Sequence, residues 1–154
     1  MRIEELDIYN ADIRYDGIIR CLSDGFGPIT IPKEIGVSIL MNKVRDGHTV
    51  VMAVADGEVV ATATGFIEQK IIHAGIAKYK AEKGASSVMH IEDVATRTDK
   101  RGNGYGAACV RALHKTAKNE GCYKIILDAS VDNFENFYFK LGYKKTELCL
   151  RKNI

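Results

Sequence analysis

The chain has 154 residues, with 22 Lys or Arg and 20 Asp or Glu for a formal net charge of +2. That length suits one domain over residues 1–154 with a single sizeable core, and the near-balanced charge removes the electrostatic case for a broad nucleic-acid interface. Cys21, Cys109, Cys122 and Cys149 form no CxxC pair, and no histidine stands at metal-ligand spacing. This argues against zinc and disulfides, and for reduced, mostly buried thiols in an intracellular compartment.

The opening MRIEELDIYN is charged and lacks the apolar centre of a signal peptide, and no stretch approaches the roughly 20 apolar residues that span a bilayer; a soluble, cytoplasmic protein is expected. RIEELDI alternates as a first strand. Ala11, Tyr15, Ile18, Ile19 and Leu22 then fall at helical spacing, with Asn10 or Asp12 as cap, until SDGFGPIT breaks the helix. A second helix begins near Pro32, carries Val37, Leu40, Met41 and Val44 on one face, and ends at DGH. HTVVMAVA and EVVATATGFI read as strands joined by a type I′ turn at Asp56-Gly57.

From Glu68 to Ser87 the mixed, lysine-bearing text reads as a loop. VMHIEDVATR is the next strand, and Gly106, Val110, Leu113 and Ala117 mark one face of a helix closed by Gly121. YKIILDAS is an apolar strand. Asn133 is placed to cap a short helix, FENFYFKL, stopped by Gly142, and YKKTELCLRK alternates as a last strand. The order βααβββαβαβ predicts a mixed α/β domain with a partly antiparallel sheet.

The junction RGNGYG, Arg101 to Gly106, concentrates glycine between a strand and a helix. Glycines let backbone N–H groups approach an anion, and a helix start offers unpaired N–H groups with partial positive charge, so the turn is suited to phosphate. GNGYGA formally fits the dinucleotide fingerprint G-x-G-x-x-A, with Asp128 as the ribose acid. But TRTDKR separates the glycines from their strand, and too little chain follows Asp128 to complete a doubly wound sheet. A Walker loop is excluded because no Lys-Ser or Lys-Thr follows the glycines.

Read as R-x-x-G-x-G, with Arg101, Gly104 and Gly106 as its fixed letters, the turn resembles the acetyl-CoA loop of the GNAT superfamily of N-acetyltransferases. VATATGFIEQKIIH, HIEDVA, RGNGYG, GCYKIILD and FYFKLGY, over about residues 58 to 143, are similar in order and spacing to the glucosamine 6-phosphate N-acetyltransferase family. The resemblance implies a GNAT fold: a central mixed, mostly antiparallel twisted sheet of six or seven strands flanked by about four helices, with strands four and five parallel and splayed. It also implies acetyl-CoA as cosubstrate, no metal, a homodimer, and acetylation of the amino group of glucosamine 6-phosphate on the way to UDP-N-acetylglucosamine.

By the same resemblance, the pyrophosphate of the coenzyme lies over Arg101, Gly102, Asn103, Gly104, Tyr105 and Gly106, with Lys100 and Lys140 as further phosphate partners. The backbone of Val94, Ala95 and Thr96 pairs with the pantetheine arm and offers an oxyanion donor. Asn133 and Tyr138 contact the coenzyme, with Tyr138 protonating the leaving thiolate. Glu92, Asp93 and Asp128 are the acids of the acceptor site. The incoming ammonium must lose a proton before it attacks, and Asp128 or Glu92 is placed as its base, with Asp93 on sugar hydroxyls. Consecutive strand residues face opposite ways, so Glu92 and Asp93 share one role only if a bulge intervenes. Lys124, the basic residues of FKLGYKK and Ser23 are candidate substrate contacts, whereas His73 and His90 read as structural or exposed.

Two departures from the family pattern stand out. One extra residue within ASVDNFEN shifts Tyr138 along its helix, and the segment 72–89 is longer than its counterpart. The acceptor is therefore less sharply specified than the coenzyme. Another amine, such as a polyamine or a peptide terminus, and a nucleotide-binding regulatory module without catalysis remain as alternatives.

Overall fold

The computed structural model describes residues 1–70 and 87–145. Strands β1 (Arg2–Glu5), β2 (Thr49–Ala55), β3 (Glu58–Gln69), β4 (Ser87–Thr96) and β5 (Lys124–Ile126) form one sheet in sequential order. The first four pair antiparallel; β4 and β5 pair parallel. Helices α1 (Ala11–Phe26) and α2 (Lys33–Arg45) connect β1 to β2, and α3 (Tyr105–Asn119) connects β4 to β5. A short helix α4 follows β5: one turn at Val131–Asn133, a π-helical stretch at Phe134–Tyr138, and a 3-10 turn at Phe139–Leu141.

The alternating strands divide the core into two faces. Tyr15, Ile18, Cys21 and Leu40 of α1 and α2 pack with Val50, Met52, Val54, Val59 and Ala95 on one side. On the other, Cys109, Val110, Leu113 and Ala117 of α3 pack with Val51, Ala53, Val60, Ala61, Ala63, Met89 and Ile91. Burying side chains of the Val110 or Leu113 kind stabilises by about 1.5–3 kcal/mol each, which makes α3 a fixed platform for the turn that precedes it. The Asp56-Gly57 hairpin has both central residues at positive φ, 52° and 83°, as a type I′ turn requires.

Several expected boundaries move. The first strand stops at Glu5; the Leu6 N–H still reaches the Val50 carbonyl at 2.8 Å, and Asp7 then turns the chain by accepting from the N–H groups of Tyr9 and Asn10. Helix α1 runs through SDGF to Phe26 rather than breaking at Ser23, and stops at Gly27 with φ 103°. Its last turn lies on β4, where a Cβ on Gly25 would stand 3.0 Å from that of Ala95, so tertiary packing overrides the local breakers. Neither Asn10 nor Asp12 accepts a side-chain capping bond from the helix start; the Asp7 carboxylate instead accepts from the N–H groups of Tyr9 and Asn10. The strand read as YKIILDAS shrinks to Lys124–Ile126, since β4 offers it a partner only there.

The expected six or seven strands become five among the described residues. The predicted final strand falls mostly on 146–152 and most of the long loop on 71–86, outside the described residues. Cys21 and Cys109 are buried free thiols and Cys122 is a half-buried one; Cys149 lies outside the described residues. No helix among the described residues is long and apolar enough to cross a membrane.

Candidate active site

The site begins as a gap in the sheet. Val88, Met89 and His90 of β4 pair with Lys124, Ile125 and Ile126 of β5, and among the described residues no further pair joins the two strands, which leaves a gap beyond them. From Ile91 onward β4 is bonded to β3 along one edge, and its other edge, carrying Val94, Ala95 and Thr96, borders the gap. Such an edge offers main-chain donors and acceptors to an extended ligand in place of a strand.

The glycine turn closes one end of that gap. A 3-10 turn at Thr98–Lys100 leads into Arg101–Gly104, all exposed, before α3 starts at Tyr105. Gly102 and Gly104 have φ of 80° and 79°, the left-handed region that glycine enters without a Cβ penalty. No acidic side chain stands in the first turn of α3, so its N-terminal donors and dipole present an uncompensated positive end, worth about 0.3–1 kcal/mol toward an anion. Gly106 serves a different end: a Cβ there would lie 2.8 Å from Thr96 Oγ1 and 3.6 Å from Phe137 Cζ. The end of β4, the start of α3 and α4 therefore converge on this one glycine.

Side chains brace the turn. The Asn103 amide donates to the carbonyls of Lys100 and Arg101 at 3.1 and 3.2 Å. The Arg101 guanidinium points back to α1, donating to the Asp24 carbonyl at 2.8 Å, and the Asp24 carboxylate accepts from Thr98 N–H at 2.8 Å. Arg101 thus brings backbone to the turn while its charge ties α1 to it. Buried Arg97 pairs with Glu58 of β3 and with Asp99 at 2.8 Å, linking the strand end to the 3-10 turn. That guanidinium holds both carboxyls below their usual range.

The acidic wall stands on the α1 and α2 side of the sheet. Thr62 faces Ala95 and Thr64 faces Glu92, so β4 carries one residue more than β3 across this stretch: a bulge at Asp93, whose φ is 53°. A non-glycine residue held there costs about 1–3 kcal/mol. The result is that Glu92 and Asp93, neighbours that would point to opposite faces in a regular strand, both reach the ammonium of Lys43 in the last turn of α2, at 2.5 and 3.2 Å. Desolvation pulls the Lys43 ammonium down, but the Glu92 hydrogen bond and the Asp93 charge outweigh it, so Lys43 stays protonated above the ordinary lysine range. Such half-exposed pairs are worth about 0.2–1 kcal/mol, too little for the cluster to matter chiefly as a stability device.

The remaining predicted residues are distributed as follows. Asp128 is exposed, just past the end of β5 on the far side of the gap. Tyr138 is buried at 8 % exposure, ring to edge with Phe137 and Tyr143, and burial raises its phenol above the usual range. The helix is π-wound over the stretch ending at Tyr138, with Phe139 N–H bonded to the Phe134 carbonyl, so each hydrogen-bonded ring there holds one residue more than in an α-helix. Asn133 is not the cap: the Ser130 hydroxyl accepts from Asn133 N–H at 3.3 Å, and Asn133 is exposed in the first turn. Lys124 opens β5 opposite Val88, about 13 Å by strand rise from the level of Asp128, and is not brought to the gap. Ser23 lies within α1, its hydroxyl accepting from Ile29 N–H at 3.2 Å. Lys100 is half-buried and Lys140 exposed. His90 stacks on Phe66 with centroids 4.6 Å apart and places Nε2 2.6 Å from Glu68, a structural setting; His73 lies outside the described residues.

Lys43 and Arg97 escape a reading of the sequence. Lys43 is one of several lysines in a helical text and meets its partners 49 and 50 positions later, so no local pattern marks it.

Residues 21–143 match the model of the acetyltransferase (GNAT) family. A Candida albicans protein named glucosamine 6-phosphate N-acetyltransferase is 39 % identical over 97 residues, 63 % of this chain and 58 % of the relative. A protein of the same name from Trypanosoma brucei brucei is 34 % identical over 98 residues, covering 64 % and 59 %. The chain thus spans somewhat over half the length of these relatives. The crystal structure of glucosamine-6-phosphate N-acetyltransferase from Arabidopsis thaliana superposes with a TM-score of 0.75 at 27 % identity, over 99 % of both chains. With a splayed parallel strand pair, a glycine turn opening α3, and a family match over most of its length, this chain belongs to the acetyltransferase (GNAT) family.

Proposed function

We propose that residues 1–154 act as one acetyl-CoA-dependent N-acetyltransferase domain whose acceptor is the 2-amino group of glucosamine 6-phosphate. The observation that carries this reading is the gap between β4 and β5, with an anion-ready turn on the α3 side and a carboxylate wall on the α1 and α2 side. The donor set fits a coenzyme with a pyrophosphate and an amide-bearing arm: exposed N–H groups from Gly102 to Gly104 with the start of α3 for the phosphates, and the open edge at Val94–Thr96 for the arm. The names of the relatives supply the acceptor.

The thioester supplies the acetyl group, and the chain does the rest. Asp128 or Glu92 takes a proton from the acceptor ammonium, and the freed nitrogen lone pair attacks the acetyl carbonyl. A main-chain N–H of Val94–Thr96 holds the oxygen as it gains charge. As the carbon–sulfur bond breaks, the Tyr138 hydroxyl gives its proton to the departing sulfur, and the nitrogen sheds its second proton as the amide forms, which restores the phenol directly or by way of solvent; burial keeps that phenol protonated at neutral pH. The base and the oxyanion donor each contribute typically ~10²-fold or more. This chemistry calls for no metal. A cytoplasmic homodimer belongs to the same reading.

The test is release of free thiol from acetyl-CoA with glucosamine 6-phosphate, compared with spermidine and a peptide amine. Acetylation of the sugar phosphate at least ~10²-fold above the other amines supports the reading, since substrate-specific rates of that order reflect built contacts. Preference for another amine replaces the acceptor. Coenzyme binding with no amine-dependent thiol release replaces the enzyme with a binding module.

A further inference from the structure

We infer that Lys43 fixes the net charge of the acidic wall, so that the acceptor site selects an amine with a single positive charge over a diamine. The inference rests on the proposed function, because it takes Glu92 and Asp93 as the wall the acceptor meets.

The geometry is specific. The bulge at Asp93 turns two adjacent carboxylates to one face, and a single ammonium lies within hydrogen-bond distance of both, 2.5 Å from Glu92 Oε1 and 3.2 Å from Asp93 Oδ2. Lys43 is held from behind by its place in the last turn of α2, where its carbonyl accepts from Gly47's neighbour His48 N–H at 2.9 Å and lies 3.1 Å from His48 Nδ1. Among the described residues on this face, His90 pairs with Glu68 and Glu68 with Lys70, beside the stacked Phe66. Within this cluster the Lys43 ammonium offsets one of the two carboxylate charges, while Asp128 stands apart, past the end of β5. An acceptor ammonium directed to the cluster meets one net negative charge, and a second ammonium there meets Lys43 instead of a carboxylate. Lys43 thus acts as a positioning and specificity-determining residue that works through Glu92 and Asp93.

Lys43 belongs to α2, which packs on the face of the sheet opposite α3 and the glycine turn. Removing its charge therefore alters acceptor choice without altering coenzyme binding. A merely structural lysine would instead change stability or overall rate and leave the ratio between acceptors alone.

The experiment compares wild type, Lys43→Met and Lys43→Arg with glucosamine 6-phosphate and 1,3-diaminopropane as acceptors at low and high salt. In Lys43→Met the ratio of kcat/KM for the diamine over that for the sugar phosphate is expected to rise about tenfold at low salt and to fall back at high salt; Lys43→Arg keeps the wild-type ratio. An unchanged ratio in Lys43→Met overturns the inference. Calorimetric titration of each protein with 1,3-diaminopropane gives an arm independent of turnover. Binding about tenfold tighter to Lys43→Met than to wild type upholds the inference, and equal binding overturns it. If wild type releases no thiol with glucosamine 6-phosphate, the proposed function fails while the calorimetric arm still decides the role of Lys43. Thermal unfolding of both variants establishes that they are folded.

Discussion

The two walls of the gap are built from different materials. The glycine turn at 101–106 presents main chain: Gly102 and Gly104 at positive φ, a bare helix start, and side chains that point back to brace the loop. The wall at Glu92 and Asp93 presents side chains, and its backbone is bent at a non-glycine residue to bring them to one face, with a lysine from another helix as counter-charge. A backbone site holds an anion in any ionisation state of the protein and tolerates no added bulk. A side-chain site is sensitive to charge and to pH, and its preferences shift with one substitution.

Substitutions that break this contrast fall in a clear order. Asp128→Asn is expected to cost the most, about 10²-fold or more in kcat with coenzyme affinity kept, measured by steady-state thiol release and calorimetry; the loss should be largest at low pH, where fewest acceptor amines arrive already deprotonated. Unchanged turnover there would move the base to Glu92. On the other wall, Gly106→Val puts a side chain into Thr96 and the Phe137 ring. It should destabilise by about 1–3 kcal/mol, as overpacking does, and weaken coenzyme binding about tenfold, read by thermal unfolding and by titration with coenzyme A. If stability falls and coenzyme affinity does not, the turn is not the anion seat.

Tyr138→Phe keeps the packed ring and removes only the hydroxyl. Its kcat should fall about tenfold, below the full range for a general acid because water can substitute, while the coenzyme dissociation constant stays within about twofold. The smallest effect concerns the link between the walls and the sheet. Arg97 depresses the carboxyls of Glu58 and Asp99, so their pairing contributes stability above the unfolded carboxylate range, and this is lost as pH falls through the folded values. The melting temperature of wild type should therefore drop more steeply below about pH 4 than that of Arg97→Met, since carboxylates titrate there. Parallel melting curves would show that the pairing is inert.

Where the sequence misleads, a tertiary contact is responsible. SDGFGPIT carries two glycines and a proline and reads as the end of α1, yet the helix continues to Phe26 because Gly25 lets it settle on Ala95. YKIILDAS has the composition of a long strand, but strand length is set by available partners, and β4 pairs with it only as far as His90. Asn133 is a good capping residue in isolation; Ser130 takes the role because the chain leaves β5 earlier than its composition suggests. The bulge was legible only as a condition, that Glu92 and Asp93 needed one in order to act together, and the structure contains it.

What the sequence determined alone were the local features that no tertiary contact overrides. The hairpin at Asp56-Gly57, the periodic face of α3 and the glycine turn each follow from φ/ψ limits and helical spacing within a few residues. The tertiary structure decided what depends on charges and edges distant in the chain: how far β5 pairs, where the gap opens, and that Lys43 meets Glu92 and Asp93. The physical reason is that local sterics act between neighbours in sequence, whereas electrostatic pairing and packing act between neighbours in space, and only the folded chain says which those are.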